Sequence, residues 1–242
     1  MTLVPKSEEA RSKYPLTVPF LKDKSLDLEF DTKITIFVGD HGMGKSTLLE
    51  AIANHCGFGL TGGTRNHVGM GGEQESLAEH LRLAWKPKIP FGFFLRAETI
   101  FSLTKIIDEY AAEPLAMPDD VEFAGGSDLA ERSHGEVFMS LFEDRFGRQG
   151  IYIMDEPEAA LSPARQIEFL KLLRRMDKSD KCQIIMATHS VLLMSYPGAR
   201  LYRLGPEGIT PTKPEQMSHF KLLRDFFYDP DAFLEGIFLE DE

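Results

Sequence analysis

Cysteine is scarce in this chain: Cys56 and Cys182 are the only two in 242 residues. Two thiols outside any metal-ligand spacing supply neither a disulfide framework nor a zinc site. Their scarcity suits a reducing compartment. Positive charge is also short, with 27 Lys and Arg against 38 Asp and Glu and a net charge of −11. Non-specific nucleic-acid binders draw their affinity from neutralised phosphates. The balance here therefore excludes broad DNA coating, while leaving room for a local basic patch or a nucleic-acid-binding partner. No segment approaches the ~20 apolar residues that span a bilayer. The opening residues, Met1 to Glu9, carry early acids and no apolar stretch of signal-peptide length. The sequence also lacks an internal repeat and a heptad run. A cytoplasmic chain with no membrane span of its own is the expectation.

What is present is the balance of an ordinary globular protein, 43% hydrophobic and 27% charged. The length suits a single domain over residues 1–242. Residues 1–26 read as a leading loop and an edge strand. Ile34-Thr35-Ile36-Phe37-Val38 is a β-branched run ending at Gly39, the pattern of a buried strand. A helical pattern follows from Gly44 to about Asn54. Seven glycines between 57 and 72 mark a loop. Helices are expected over 73–85, 98–111 and 133–146, with an acidic loop at 113–128, so a helical subregion covers about 73–148. Further strands are expected at Phe91–Leu95, Ile151–Met154 and Gln183–Ala187. A hairpin is expected from Arg200–Leu204 and Gly208–Thr210. Pro163 fits the first turn of a helix reaching about Met176, and Phe220 to Phe227 form an amphipathic helix. Alternating strands and helices predict an α/β fold with a largely parallel, mixed central sheet flanked by helices.

Gly39-Asp40-His41-Gly42-Met43-Gly44-Lys45-Ser46 matches the phosphate-loop pattern G-x-x-x-x-G-K-[ST], with Thr47 next in the helix. The glycines let the backbone turn its N–H groups inward on phosphates. The helix that follows offers its N-terminus to the same anions. Lys45 is placed for the terminal phosphates and Ser46 for magnesium. The pattern lies between an expected strand and an expected helix, which is the context the motif requires. The apolar run Ile151–Met154 ends in Asp155-Glu156-Pro157. In phosphoryl transfer one acid helps hold hydrated magnesium and another group positions the attacking water. Asp155 suits the first role and Glu156 the second. His41 reads as a tolerated variable position of the loop. Phe91, Phe93 and Phe94 read as core. Phe20 and Tyr14 are candidates to stack on adenine.

With these motifs the chain resembles the ATP-binding cassette (ABC) superfamily, a class of P-loop NTPase. Ser133-His134-Gly135-Glu136, 22 residues before Asp155, resembles a degenerate form of that superfamily's Leu-Ser-Gly-Gly-Gln signature. Ala160-Leu161-Ser162-Pro163 stands where its D-loop falls. Ala187-Thr188-His189-Ser190 ends the next strand, as the superfamily's switch histidine does. Ser133 alone also reads as a helix N-cap, with Glu136 completing a capping box; the two readings are compatible. There are departures. The signature reads Ser-His-Gly-Glu, Ser162 replaces the usual D-loop aspartate, and no glutamine marks the Q-loop. Phe94-Leu95-Arg96-Ala97-Glu98 occupies that place, with Arg96 or Glu98 as substitutes. These changes are similar to the small stand-alone AAA_21-like ATPases related to SMC, RecF and OLD-type cassettes. Tyr196-Pro197-Gly198-Ala199-Arg200 and Arg224-Asp225-Phe226-Phe227 add to that likeness.

The resemblance implies ATP and Mg2+ as cofactors and hydrolysis to ADP and phosphate. Gly39 to Thr47 would hold the nucleotide, Ser46 and Asp155 the metal, and Lys45, Glu156 and His189 would act in catalysis. It also implies an ATP-dependent, head-to-tail homodimer in which Ser133, Gly135 and Glu136 face the other chain's nucleotide. Two roles remain for what hydrolysis drives. One is a soluble switch acting on nucleic acid or a partner protein, in repair or defence. The other is the ATP-binding subunit of a membrane transporter. The signature and Q-loop departures favour the first. The distance from Lys45 to Ser133 is too short for a long coiled-coil arm.

Overall fold

A computed structural model of the chain describes residues 1–5, 9–22, 24–58, 76–85, 91–96, 139 and 149–239. Its centre is a six-stranded sheet in which β2 (Ile34–Val38) lies between β6 (Cys182–Ala187) and β7 (Arg200–Gly205). Beyond β6 come β5 (Gly150–Asp155) and the edge strand β4 (Gly92–Arg96). Beyond β7 comes β8 (Gly208–Pro211), the antiparallel return of a hairpin. The pairs β4–β5, β5–β6, β6–β2 and β2–β7 are all parallel. A mixed sheet was the expectation, and the parallel pairing brings the C-terminal ends of β2, β5 and β6 to one edge.

Side chains alternate across a strand, so both faces of this sheet are apolar. Ile36, Val38, Tyr152, Met154, Ile184 and Met186 pack on one face with Phe169, Leu172, Leu173 and Met176. Those four belong to α2 (Pro163–Ser179). Phe37, Ile151, Ile153 and Ile185 pack on the other face with Leu48, Leu49 and Ile52 of α1 (Lys45–Cys56). The leading segment closes this second face, burying Leu16, Val18, Phe20 and Leu21. The result is three layers, helix on sheet on helix.

One element differs from expectation and one is added to it. Over 76–85 the expected helix is one turn of 3-10 helix, Leu77–His80, followed by β3 (Leu81–Arg82). β3 pairs antiparallel with β1 (Thr2–Leu3), a contact between distant parts of the chain that overrides the local pattern. The expected C-terminal helix is α4 (Ser218–Tyr228), and a further helix, α5 (Pro230–Leu239), follows it. Pro230 lacks the N–H that a continuous helix needs and pushes Asp229 out of the helical region. Asp229 has φ −151° and ψ 89°, and its carboxylate accepts from the Ala232 N–H at 3.1 Å. A short α3 (Val191–Met194) precedes β7. Phe91 is exposed, whereas Phe93 and Phe94 are buried as expected. Apart from 76–85, Phe91 with β4, and Met139, which is helical and buried, the expected helical subregion lies outside the described residues. Among the described residues no helix is long and apolar enough to cross a membrane.

Candidate functional site

The phosphate loop leaves the end of β2 and turns into α1. Its first and last glycines are fixed by sterics. Gly39 has φ +145°, and a Cβ there would stand 2.5 Å from the Leu204 carbonyl oxygen on β7. Gly44 has φ +91°, and a Cβ there would stand 2.8 Å from the Phe20 ring. Only glycine takes both the backbone angle and the space. The same contact buries Phe20 to 1% exposure, so it is not available to stack on adenine as its position in the sequence suggested.

Lys45, the first residue of α1, is buried at 4% exposure. Its Nζ donates to the Gly39 carbonyl at 2.8 Å and the Asp40 carbonyl at 3.1 Å, so the ammonium braces the inside of the loop. Burial pulls its pKa below the ordinary lysine value, while the Glu156, Asp155 and Asp40 charges oppose that shift. The charged head is thus held in a half-dry site facing carboxylates, where an added anion meets little competition from water.

Asp155 ends β5, level with Arg96 on β4 and Ala187 on β6. Burial pushes its carboxyl up to about 6, against a hydrogen bond from Ser46 and the nearby Arg96 charge. Its Oδ1 is buried with no hydrogen-bond partner among the described residues. A buried, unpaired carboxylate oxygen is costly. One beside a helix-borne hydroxyl, at the end of a phosphate loop, fits a hard divalent cation with oxygen ligands. Arg96 itself forms an ion pair with Glu50 at 2.7 Å. Glu98, the alternative Q-loop residue, lies outside the described residues.

Glu156 follows in a left-handed conformation, φ 50° and ψ 53°. A non-glycine residue there stores strain, a feature that clusters at functional sites. The turn is fixed by its N–H, which donates to the Ala187 carbonyl at 3.0 Å. It aims the carboxylate at His189, whose Nε2 lies 3.4 Å from Glu156 Oε1. That contact lacks hydrogen-bond alignment, and His189 Nε2 is left without a partner. The His189 ring stacks on His41, with centroids 4.3 Å apart and planes at 25°. Burial and the Lys45 charge pull the His189 pKa down, and Glu156 opposes them.

Two residues that sequence reasoning missed, Glu158 and His219, complete the constellation together with His41. Glu158 accepts the His189 backbone N–H at 2.6 Å and so ties the end of β6 to the turn after β5. Its carboxyl is pushed up by burial, with the hydrogen bonds from His189 and Thr188 opposing. The signal was in the sequence as a third carboxylate, two positions after Glu156, in Asp-Glu-Pro-Glu. His41 is a neighbour of the switch position and not merely a variable loop residue. His219, in the first turn of α4, lies 6.5 Å from His189, ring centre to ring centre. Nothing in the local pattern around His219 marked it. Ser162 serves as the N-cap of α2, accepting from the Arg165 N–H at 3.4 Å. The structure therefore brings Gly39 to Thr47, Asp155, Glu156 and His189 to one edge of the sheet. Ser133, Gly135 and Glu136 lie outside the described residues.

Two family models match this chain. Residues 136–195 match an AAA domain described as a putative AbiEii toxin of a Type IV TA system, and residues 18–80 match a second AAA domain. The chain is 27% identical over 218 residues to the petrobactin import ATP-binding protein FpuD of Bacillus anthracis, covering 81% of this chain and 76% of that protein. It is 26% identical over 137 residues to the DNA replication and repair protein RecF of Leptospira interrogans, covering 51% of this chain and 37% of RecF. It is 35% identical over 103 residues to the OLD nuclease of Thermus scotoductus, covering 43% of this chain and 18% of that protein.

Proposed function

Since this chain is an ABC-type ATPase, we propose that it is a magnesium-dependent, ATP-driven dimerisation switch acting on nucleic acid or a partner protein. The observation that carries the hydrolytic part is the pairing of two sites one residue apart. Asp155 presents a buried oxygen with no hydrogen-bond partner among the described residues, beside Ser46, and Glu156, from a strained backbone position, presents its carboxylate to His189. In this reading the loop from Gly39 to Thr47 binds the phosphates and Lys45 neutralises the terminal ones. Ser46 and Asp155 hold magnesium, which when bound supplies positive charge to the phosphate oxygens. Glu156 orients the attacking water and accepts its proton. His189, positioned through its backbone by Glu158, faces the transferred phosphate. Ser133, Gly135 and Glu136 face the nucleotide of a second chain.

The choice of a switch over a transporter subunit rests on the sequence departures at the signature, D-loop and Q-loop. The relatedness to RecF and the OLD nuclease supports it. The transporter reading is favoured by the 70–81% of this chain that aligns with import and transport ATP-binding proteins. One variant tests both levels. Glu156→Gln keeps the side chain's size and removes the proton acceptor. It should bind ATP and turn over on the order of 10²–10⁴ more slowly in single-turnover hydrolysis. Turnover at the wild-type rate would assign the water to another group. Affinity purification of the same variant with ATP should retain a DNA-processing or effector protein. Retention of a membrane permease would decide for the transporter.

A further inference from the structure

We propose that His41, Glu156 and His189 form a binding site for a borderline transition-metal ion of the zinc and cobalt class, distinct from the magnesium position at Ser46 and Asp155. The three residues come from the phosphate loop, the turn after β5 and the end of β6. Their ligand atoms all lie within 4.8 Å of one another. Two imidazoles and a carboxylate are the donor set of many open zinc sites. Imidazole selects zinc, cobalt, nickel or copper over magnesium, which prefers oxygen.

The geometry is most of the way there. A tetrahedral ion with bonds of about 2.0–2.1 Å sets its ligands roughly 3.4 Å apart. Glu156 Oε1 and His189 Nε2 already stand at 3.4 Å. His189 Nε2 is buried and has no hydrogen-bond partner, so it gives up nothing to bind. His41 is exposed and its ring lies against His189, so a rotation of one side chain brings its nitrogen in. Glu158 holds the His189 backbone at 2.6 Å and the Ala187 carbonyl holds that of Glu156 at 3.0 Å. The backbones that carry two of the three ligands are thus fixed before the ion arrives. Binding takes up the Glu156 carboxylate and the His189 imidazole together. The consequence for turnover rests on the function proposed above: an ion here excludes the attacking water. The binding itself does not rest on it.

The test is a titration of the nucleotide-free full chain with Co2+, followed by its visible absorption. One equivalent should give the intense d–d bands of a four-coordinate ion, and Zn2+ should displace it. His41→Ala and His189→Ala should each weaken binding at least tenfold while melting like the wild type. Absence of the bands, or unchanged affinity in both folded variants, would overturn the site. If His189→Ala does not fold, zinc-edge X-ray absorption of the wild type decides. Two imidazole ligands are expected, and a shell without imidazole sinks the proposal. In the magnesium-supported ATPase assay, zinc should inhibit over the concentrations that fill the site. Filling without inhibition would disprove the coupling to hydrolysis. A chain that binds cobalt through these histidines yet hydrolyses no ATP would refute the functional reading and leave the metal site standing.

Discussion

At the scale of single residues, what was legible in the sequence is what a motif encodes locally. Gly39 to Ser46 specify a turn, a helix start and a charge within eight consecutive positions, and the loop, α1 and the Lys45 ammonium follow. The contacts of Glu158 and His41 with His189 were not legible, because they join different strands: the partners stand about 30 and 150 positions apart, and the β5–β6 and β2–β6 pairings bring them together. Two expected outcomes belong here. Lys45→Ala should abolish or severely weaken ATP binding in isothermal titration, since the one buried cation inside the loop is lost. Wild-type affinity would remove Lys45 from the site. Glu158→Ala should leave the His189 N–H unpaired, at a cost of about 1–3 kcal/mol. Because the effect reaches the chemistry through the His189 backbone, kcat should fall while ATP affinity stays near wild type. Equal losses in both would make Glu158 a general structural residue.

At the scale of elements, apolar runs were the dependable signal. Ile34–Val38 is a strand at the residues expected, because a fully buried parallel strand is apolar throughout and breaks at a glycine. β5 and β6 extend one or two residues beyond the expected runs, taking in Gly150, Asp155 and Cys182, since ladder pairing and not side-chain polarity sets where a strand stops. The segment after Ser76 failed for the opposite reason: its apolar spacing suits a helix, yet Leu81 and Arg82 pair with the chain's first strand and leave one 3-10 turn, Leu77–His80, before them. α2 offers the clearest stability test. Phe169 is fully buried at the centre of its sheet-facing side. Phe169→Ala should cost about 3–5 kcal/mol through lost burial and a residual cavity. For a domain of this size that is a fall of roughly 6–20 °C in Tm, read by calorimetry. A shift of less than a degree or two would mean that the layer relaxes into the space.

At the scale of the whole molecule, the site described above is half of what the ABC resemblance implies. One edge of the sheet gathers Lys45, Ser46, Asp155, Glu156 and His189, yet Ser133 belongs to a segment outside the described residues. In the proposed switch Ser133 acts on the nucleotide of a second chain. If Ser133 opens a helix, as the sequence predicts, it stands beside free N–H groups and is suited to a terminal phosphate. Two consequences separate this from a serine that merely caps its own helix. Turnover per chain should rise with protein concentration, because each composite site needs two chains. Ser133→Arg should bind ATP normally as a monomer but neither dimerise nor hydrolyse, since a long side chain would occupy the phosphate contact. Mixing Ser133→Arg with Lys45→Ala provides the decisive control. The first chain binds nucleotide and the second supplies an intact Ser133, so each heterodimer holds at most one working site and activity returns in part. The measurements are ATPase rate against concentration, and light scattering with ATP in a Glu156→Gln background. Rates independent of concentration, from a strict monomer in which Ser133→Arg is fully active, would reduce Ser133 to a helix cap and leave the switch without its second half.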